Sequence, residues 1–328
     1  MTHSSKQANN LPLVTIVMPS FNQARYLDKA IQSVLDQDYP NIEFFVVDGG
    51  SKDNSAEIIK KYHQASPERL VWWVSEKDNG QADAINKGLK RAKGEIVAWL
   101  NSDDIYLDGA VSKAVEVLRK DPDLGLVYGN IKSMDMDGQV FNEITYGDWG
   151  LEDLMAFRII GQPSVFMRLT AFEAAGGMDT SYDLLLDPLL FMRIAAHYKI
   201  QYIDAFFASA RFHPDAKNVS QARKYGDDAL KIVEMMPHDP DFKDAYNRNR
   251  AKILAGAYRL GAHYLLDGGD YAKSFSWYLR SFINHPATAL EEFPRIVFSF
   301  FAMFLPIEKL KKKYLERRAA GYTDQKYS

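Results

Sequence analysis

Between residues 14 and 129, short strand-like apolar runs alternate with segments that carry apolar residues at helical spacing. The runs are rich in β-branched and aromatic residues: "VTIVM", "IEFFVV", "LVWWVS", "EIVAWL" and "LGLVYG". The second run is apolar on both faces, which is typical of a central parallel strand. We expect Pro19 to halt the first run, because proline cannot donate to a strand ladder. This alternation predicts an α/β fold with a Rossmann-like, mainly parallel sheet flanked by helices.

The regular alternation ends after Thr145. A strand over residues 161–168, a helix over residues 187–197 and one or two strands over residues 200–213 follow, and the pattern is helical from about residue 227. There, "RLGAHYLLDGGDYAKSFSWYLRSFINHP" predicts a helical hairpin that turns at Gly-Gly. The predicted organisation is a flexible tail at residues 1–10, an α/β domain at residues 11–225 and a C-terminal helical appendage at residues 226–328.

Carboxylates follow two of the predicted strands. Asp48 ends the "IEFFVV" run, and Asp103 and Asp104 come directly after "EIVAWLNS". Ligands of such sheets bind beyond the carboxyl ends of the strands, so we expect these carboxylates at one edge. Adjacent carboxylates repel each other and suit Mg²⁺ or Mn²⁺, which also accepts substrate phosphate oxygens. Two interpretations stay open from these residues alone: a metal site, or a cap of the next helix.

Composition argues against several other kinds of site and partner. The net charge of −3 gives no support to a nucleic-acid partner. The chain has no cysteine, which excludes disulfides, thiolate metal sites and cysteine catalysis, and which fits a reducing compartment. No apolar run is long enough for a membrane-spanning helix. Neither a phosphate-loop lysine nor G-x-G-x-x-G after a strand is present.

Residues 293–318 differ from the rest of the chain. Phe298, Phe300, Phe301 and Phe304 lie close together, and six basic residues against two glutamates follow between residues 308 and 318. An aromatic amphipathic helix with basic neighbours can lie on an anionic membrane surface. Alternatively, the aromatic rings pack on the preceding helical hairpin and the lysines face solvent. We favour the membrane interpretation.

Several motifs occur together in order: "VTIVMPSFN", "VVDGGSKDNS", "GQADAINKGLKRAKGEIVAWLNSDD", "GQPSVFMR…AAGGMD" and "LLLDPLLFMRIA". This set resembles the family 2 glycosyltransferases of GT-A fold over residues 13–220. The resemblance implies that Pro19, Ser20 and Phe21 contact a nucleotide base and that Asp48 hydrogen-bonds it. It further implies a nucleotide-sugar role for a second group of residues, Gln81, Asp83, Asn86 and Asp103. Asn101 departs from the strict D-x-D form of the family.

The resemblance also implies roles for residues at and after the carboxylate pair. Asp104 would bind a divalent metal, Mn²⁺ or Mg²⁺, with His213 as a further ligand. Arg211 or Lys217 would contact the diphosphate. Asp187 would be the catalytic carboxylate that takes the proton of the acceptor hydroxyl, since burial of a carboxylate raises its pKa. Pro188 suits the first position of a helix, so Asp187 is also expected to be the N-cap.

These implied roles define an expected function. It is an inverting, metal-dependent transfer of a sugar from a nucleotide-sugar, with UDP favoured, to a glycan or lipid-linked acceptor in cell-surface polysaccharide or glycoconjugate synthesis. We expect a cytoplasmic protein that is peripheral on the inner face of the plasma membrane. The alternatives are a module that binds nucleotide-sugar or glycan without turnover, and a sugar nucleotidyltransferase. The latter class carries a Gly-rich basic loop after its first strand, which "PSFNQARY" is not.

Overall fold

The structure is a computed structural model that describes residues 11–182, 184–213 and 221–304. The strands in these residues are β1 (Val14–Ser20), β2 (Ile42–Asp48), β3 (Leu70–Ser75), β4 (Ile96–Trp99), β5 (Ile105–Tyr106), β6 (Leu124–Met134), β7 (Val140–Ile144), β8 (Val165–Arg168) and β9 (Lys199–Arg211). The helices up to β9 are α1 (Ala24–Leu35), α2 (Ser55–Ala65), α3 (Gln81–Leu89), α4 (Ala110–Lys120), α5 (Leu151–Met155), α6 (Leu169–Ala174) and α7 (Leu186–His197). The later helices are α8 (Tyr225–Met235), α9 (Lys243–Asp267), α10 (Tyr271–Asn284), α11 (Pro286–Leu290) and α12 (Phe293–Ala302).

One sheet contains all of these strands in the order β3-β2-β1-β4-β8-β6-β9-β5, with β7 paired to β6. The β3–β2, β2–β1, β1–β4 and β6–β9 pairs are parallel, and the other four are antiparallel. Because β8 runs opposite to both β4 and β6, the C-terminal ends of β1, β2, β4, β6 and β9 meet at one edge. The predicted α/β class is confirmed, and the sheet is mixed where β8 enters it.

Each face of the sheet is covered by helices, as the two-sided apolar strands require. One face of β1 contributes Ile16 and Met18 to a core with α1, α2 and α4. The other face contributes Val17 to a core with α3 and α7. Ile232 of α8 and Ile253 of α9 belong to that second core, so the first C-terminal helices pack directly on the sheet layer.

The predicted helical hairpin is present as α9 and α10. It turns at Gly268 and Gly269, and Gly269 has a φ of 78°, which glycine tolerates without strain. Trp277 and Tyr278 of α10 pack with α9 in a small cluster of their own. No helix of the described residues is long and apolar enough to cross a membrane.

Pro19 does not end β1, contrary to expectation. The Val17 carbonyl faces β4, because it accepts from Leu100 N at 3.0 Å. Strand residues two positions apart direct their backbone N–H and C=O groups to the same side, so an N–H at position 19 would also face β4. Pairing with β4 ends at Val17, so the missing N–H of Pro19 removes no ladder bond. The strand therefore continues to Ser20.

Two other predicted boundaries also move. The strand expected over residues 161–168 is limited to β8, because Gln162–Ser164 form a 3₁₀ turn with proline at its start. Helix α7 begins one residue early, with Leu185 at the N-cap position, so the prediction that Asp187 is the N-cap is wrong. Asp187 instead lies in the first helical turn. Leu185 takes a left-handed φ of 53°, which allows the chain to enter the helix there.

Candidate active site

Asp48 is the last residue of β2 and is fully buried at the C-terminal edge of the sheet. Its carboxylate accepts hydrogen bonds from Ser51 N at 2.9 Å, Ser51 Oγ at 2.5 Å and Ser75 Oγ at 2.6 Å. A carboxylate offers about four acceptor positions, so the protein occupies most of them. Asp48 therefore fixes the loop that follows β2 and leaves little capacity for a ligand.

The predicted base-contacting residues lie at and directly after the end of β1, beside Asp48. Ser20 pairs in register with Asp48, and the buried Ser20 hydroxyl has no hydrogen-bond partner among the described residues. The ring of Phe21 is 57% exposed. An exposed ring next to buried polar groups is suited to stacking on a nucleobase.

Asp103 and His213 form a close pair at the same edge. Asp103 Oδ2 lies 2.9 Å from His213 Nε2, and the His213 side chain is only 2% exposed. Because a carboxylate only accepts, this contact places the imidazole proton on Nε2. The other ring nitrogen, Nδ1, is buried and has no partner in the described part of the chain. The ring of Tyr26 packs against the imidazole at a centroid distance of 5.1 Å.

Asp104, by contrast, is buried against the end of β9. Its Oδ1 accepts from the backbone N of Arg211 at 2.8 Å, at the end of β9. Burial, and then the charge of Asp103, raises the pKa of Asp104 well above its usual value. His213 was predicted to share a metal with Asp104, but the structure places it against Asp103. The physical reason is that Asp104 is held by the β9 backbone.

Arg211 is buried and holds three segments together. Its Nε donates to the Asp103 carbonyl at 2.9 Å, and its Nη1 donates to the carbonyls of Asp135 at 2.8 Å and Met136 at 3.1 Å. The guanidinium also lies 4.8 Å from the centroid of the Tyr26 ring. These contacts make Arg211 a positioning residue for the Asp103 backbone. Lys217, its predicted alternative as diphosphate contact, lies outside the described residues.

A chain of amides connects α3 to the carboxylate pair. Gln81 Nε2 donates to Asn101 Oδ1 at 2.7 Å, and Asn101 Nδ2 donates to Gln162 Oε1 at 3.3 Å. Gln162 in turn donates to the Trp99 carbonyl at 2.8 Å. The sequence prediction included Gln81 and missed Gln162. The available signal was a glutamine within the otherwise small and apolar motif "GQPSVF".

The other two predicted residues of α3 bind protein backbone. Asp83 accepts from Asn79 N at 3.0 Å, which fixes the loop before the helix. Asn86 donates to the Met178 carbonyl at 2.8 Å and accepts from Met178 N at 3.0 Å. Asn86 thus ties α3 to the loop after α6. Both side chains therefore fix loops that border α3.

Asp187 lies half-buried in the first turn of α7, two residues after the left-handed Leu185. Its charge reaches tyrosines from three segments. The pKa values of Tyr146, Tyr225 and Tyr264 are raised by burial and further raised by Asp187. Tyr225 and Tyr264 stack with a centroid distance of 4.0 Å and come from the C-terminal helices. The candidate base therefore faces the junction of the sheet domain and these helices.

Arg193, the arginine six residues after Asp187, pairs elsewhere. Its Nη1 lies 3.0 Å from Asp239 and 3.9 Å from Asp241, both between α8 and α9. The guanidinium also lies 5.5 Å from the centroid of the Phe242 ring. Arg193 therefore anchors α7 to the C-terminal helices.

Comparison with known families identifies the first part of the chain. The model of "Glycosyl transferase family 2" matches residues 15–174, which include Asp48 and the Asp103–Asp104 pair. Residues 15–174 belong to glycosyl transferase family 2. The family 2 match ends before Asp187, Arg211 and His213.

Relatives and solved structures of similar fold extend this family 2 assignment. The chain is 25% identical over 214 residues to the hyaluronan synthase of Pasteurella multocida. The matched region covers 65% of this chain and 22% of that synthase. The first curated relatives are matched over only 21% to 54% of their own length.

Two solved structures share the fold. TarS 1–349 of S. aureus in complex with UDP-GlcNAc has a TM-score of 0.57 and 14% identity, covering 84% of this chain and 90% of that one. The mannosyltransferase PcManGT of Pyrobaculum calidifontis in complex with GDP-Man and Mn²⁺ has a TM-score of 0.60 and 18% identity. This match covers 93% of this chain and 88% of that one. These likenesses establish the GT-A fold.

The residues at the C-terminal edge of the sheet fit a divalent metal that is shared with a substrate. Within the described ranges, no three histidine, aspartate or glutamate side chains converge on one metal position. Asp103 and His213 nevertheless bring a carboxylate oxygen and an imidazole nitrogen within 2.9 Å of each other. Mg²⁺ and Mn²⁺ are commonly bound through one or two carboxylates together with substrate phosphates. Asp103 and His213 are the residues that would hold such an ion, and the neighbouring Asp104 has its Oδ1 engaged by Arg211 N.

Proposed function

We propose that this protein is a glycosyltransferase that moves a sugar from a nucleotide-sugar donor, with a UDP-sugar favoured, to a glycan or lipid-linked acceptor. One observation carries the proposal. The ends of β1, β2 and β9 and the loop after β4 bring Ser20, Asp48, Asp103 and His213 to one edge of a family 2 domain.

Donor binding is assigned to this edge. Phe21 offers a ring to the base, and the loop fixed by Asp48 borders it. The Gln81–Asn101–Gln162 amide chain holds the strand end that presents Asp103. Support for a nucleotide-sugar comes from the TarS complex with UDP-GlcNAc and the PcManGT complex with GDP-Man, which share the fold.

The proposed chemistry is a single displacement with inversion. The acceptor oxygen forms a bond to the anomeric carbon while the bond from that carbon to the diphosphate oxygen breaks, and the nucleoside diphosphate leaves. Asp187 takes the proton of the acceptor hydroxyl. A bound Mn²⁺ or Mg²⁺ would neutralise charge that develops on the leaving diphosphate. The half-buried position of Asp187, whose charge acts on Tyr225 and Tyr264 of the C-terminal helices, supports its place on the acceptor side.

The proposed acceptor is a growing glycan or a lipid-linked sugar, in the synthesis of a cell-surface polysaccharide or glycoconjugate. The match to a hyaluronan synthase and to a chondroitin synthase of the same genus supports a polysaccharide product. We place the reaction in the cytoplasm, where the cysteine-free chain is compatible with reducing conditions. Residues 293–318 would hold the protein on the inner face of the plasma membrane; residues 305–318 lie outside the described part.

A donor panel tests this function. UDP-, GDP- and dTDP-sugars are offered with Mn²⁺ or Mg²⁺, and both nucleoside diphosphate release and sugar transfer are measured. We expect release and transfer with one nucleotide class and none after the metal is chelated. Tight donor binding without release under every condition would indicate a binding module. Pyrophosphate release from a nucleoside triphosphate and a sugar phosphate would indicate a nucleotidyltransferase.

A further inference from the structure

Helix α9 makes a very close backbone contact with the family 2 segment, residues 15–174. Gly256 of α9 lies against Ala156, and a Cβ added at Gly256 would overlap the Ala156 carbonyl. Because no side chain fits in that space, only glycine allows the two backbones to approach so closely. Ala156 directly follows α5 within the family 2 segment, whereas Gly256 lies well beyond the end of that segment. The contact therefore joins the C-terminal helices to the family 2 segment.

The next residue after Ala156, Phe157, has an unusual backbone. Its φ is 57°, in the left-handed region that a bulky residue rarely adopts, and its ring is only 1% exposed. Such a conformation persists only where the surrounding structure holds it. Arg259, three residues after Gly256 on α9, contributes to that hold because its Nη2 donates to the Phe157 carbonyl at 3.1 Å. Phe157 is thus held from outside the family 2 segment.

The loop that begins at Phe157 leads to Gln162 within five residues. Between them, Ile160 is buried, and a Cβ added at Gly161 would overlap the hydroxyl of Tyr146. The loop is therefore packed along its length as well as at its ends. Closely packed interiors transmit strain, so a displacement of Phe157 has few ways to be absorbed before it reaches Gln162.

Gln162 in turn fixes the residues that precede the carboxylate pair. Its Nε2 donates to the Trp99 carbonyl at 2.8 Å, and its Oε1 accepts from Asn101 Nδ2 at 3.3 Å. Asn101 lies two residues before Asp103, whose carboxylate contacts His213. The route from α9 to the donor edge is therefore a continuous series of direct contacts.

We propose that Gly256 and Arg259 are positioning residues of the donor site. They clamp the left-handed Phe157 and thereby hold Gln162 where it orients Asn101. Binding of a nucleoside diphosphate then depends on a helix that lies outside the family 2 segment. This proposal rests on the proposed function only in taking the donor to be a nucleotide-sugar. The alternative is that the two residues merely dock α9, in which case their loss lowers stability and leaves the donor edge unchanged.

Two variants of α9 act on the clamp by different means. Arg259→Met removes the hydrogen bond to the Phe157 carbonyl, and Gly256→Ala inserts a methyl group where α9 meets the loop. Alanine is normally the better helix former, so a loss at Gly256 would report the clash. The matched control is Arg248→Met, because Arg248 also lies on α9 and pairs with Glu152 of α5 at 3.3 Å, with a side chain that is 64% exposed.

Hydrogen–deuterium exchange tests the coupling without any ligand. We expect peptides that contain residues 156–162 and 99–104 to exchange at least about tenfold faster in both clamp variants, because local opening becomes easier where a packed loop is released. Arg248→Met should keep both peptides at the wild-type rates. Faster exchange in the C-terminal helices alone, with residues 99–104 unchanged, would overturn the proposal.

Calorimetric titration with UDP and Mn²⁺ tests the consequence for the donor edge. We expect both clamp variants to raise the Kd for UDP at least about tenfold, at a temperature where circular dichroism shows them folded, as loss of supporting contacts does at other metal sites. Arg248→Met should bind as the wild type does. A lowered melting temperature with an unchanged Kd would overturn the proposal. If the wild type binds no nucleoside diphosphate, the proposed function fails, while the exchange experiment still decides whether the clamp acts.

A double-mutant cycle tests whether Gln162 carries the effect. Gln162→Leu should itself weaken UDP binding in the presence of Mn²⁺. Adding Arg259→Met to it should weaken binding further by no more than about twofold, because both substitutions act through the same contacts. If the two effects multiply in full, Arg259 acts by another route and the proposal is wrong.

Discussion

Asp48 illustrates how one buried carboxylate can organise a binding edge. It accepts three hydrogen bonds from two serines, one on its own loop and one on β3. Buried polar groups are costly when unpaired, so the serines and the aspartate depend on one another. Any contact of Asp48 with a nucleotide base would have to use the acceptor capacity that remains.

Replacing Asp48 by Asn should therefore destabilise the protein as well as weaken donor binding. The amide brings N–H donors toward the serine donors, and the free energy of unfolding should fall by about 1–3 kcal/mol. Urea denaturation followed by circular dichroism measures this change. The control is Asp108→Asn, at an exposed aspartate, which should change stability by less than about 0.5 kcal/mol. Equal stability of Asp48→Asn and the wild type would contradict a positioning role.

The contact between Asp103 and His213 makes a second prediction at the scale of single residues. Asp103→Asn and His213→Gln should each weaken Mn²⁺ binding in the presence of UDP by about ten- to hundredfold. Electron paramagnetic resonance of free Mn²⁺ measures this binding independently of turnover. The matched control is Asp137→Asn, on the nearby β6–β7 turn, where the side chain is 82% exposed. Unchanged Mn²⁺ binding by both variants would remove the pair from the metal site.

At the scale of elements, the packing of α12 depends on one carboxylate. Burial alone would raise the pKa of Glu292. The hydrogen bond and charge of His263, the hydrogen bond of Tyr278 and the charge of Arg259 outweigh burial and lower this pKa from 4.5 to about 2. A carboxylate with a lowered native pKa stabilises the fold fully above its unfolded pKa of about 4.5, and this contribution is lost as the pH falls toward about 2.

Glu292→Gln should therefore cost about 3 kcal/mol of unfolding free energy at pH 7, from roughly 1.4 kcal/mol per pKa unit. The difference from the wild type should shrink at pH 3, because the wild-type carboxylate is then losing its advantage. Urea unfolding at both pH values measures it. Glu234→Gln, at an exposed glutamate of α8, serves as the control and should show no such pH dependence. A penalty that is equal at both pH values would contradict the electrostatic origin.

Among the elements, the periodicity of apolar residues predicted those helices and strands whose positions depend mainly on local sequence. β3, α7 and the hairpin of α9 and α10 were found within a few residues, because their apolar patterns are long and regular. The insertion of β8 between β4 and β6 could not be predicted, since strand order depends on contacts between distant segments. Pro19 was misjudged because the effect of a proline depends on which neighbour its backbone faces, and only the sheet reveals that.

For the candidate site, strand ends predicted that Asp48 and the Asp103–Asp104 pair share one edge, and the sheet order brings those strand ends together. What each side chain touches was beyond the sequence. His213 contacts Asp103 because β9 runs parallel to β6 and its end lies beside the loop after β4. The two residues are 110 positions apart in the sequence, so local patterns could not reveal their contact. Adjacent aspartates look equivalent in the sequence, but Asp103 contacts His213 whereas Asp104 accepts from the backbone of Arg211.

At the scale of the whole molecule, the proposed donor and acceptor groups come from different parts of the chain. The donor edge is built mainly by the family 2 segment, whereas Asp187 lies in α7 and faces tyrosines of α8 and α9. The predicted boundary between residues 225 and 226 stays a prediction. The helices after it share the sheet core through Ile232 and Ile253, so they are placed to shape the acceptor side.

This division predicts that chemistry and donor binding can be separated. Asp187→Asn should lower kcat for sugar transfer by about 10²–10⁴-fold, the range of a general base, and leave the Kd for UDP unchanged. Steady-state transfer assays and calorimetric titration with UDP measure the two quantities. Asp227→Asn, at an exposed aspartate in the first turn of α8, is the control and should keep both values. If transfer by Asp187→Asn matches the wild type, another group takes the acceptor proton. If its UDP affinity falls as far as its rate, Asp187 belongs to the donor edge, and the C-terminal helices lose their place beside the acceptor.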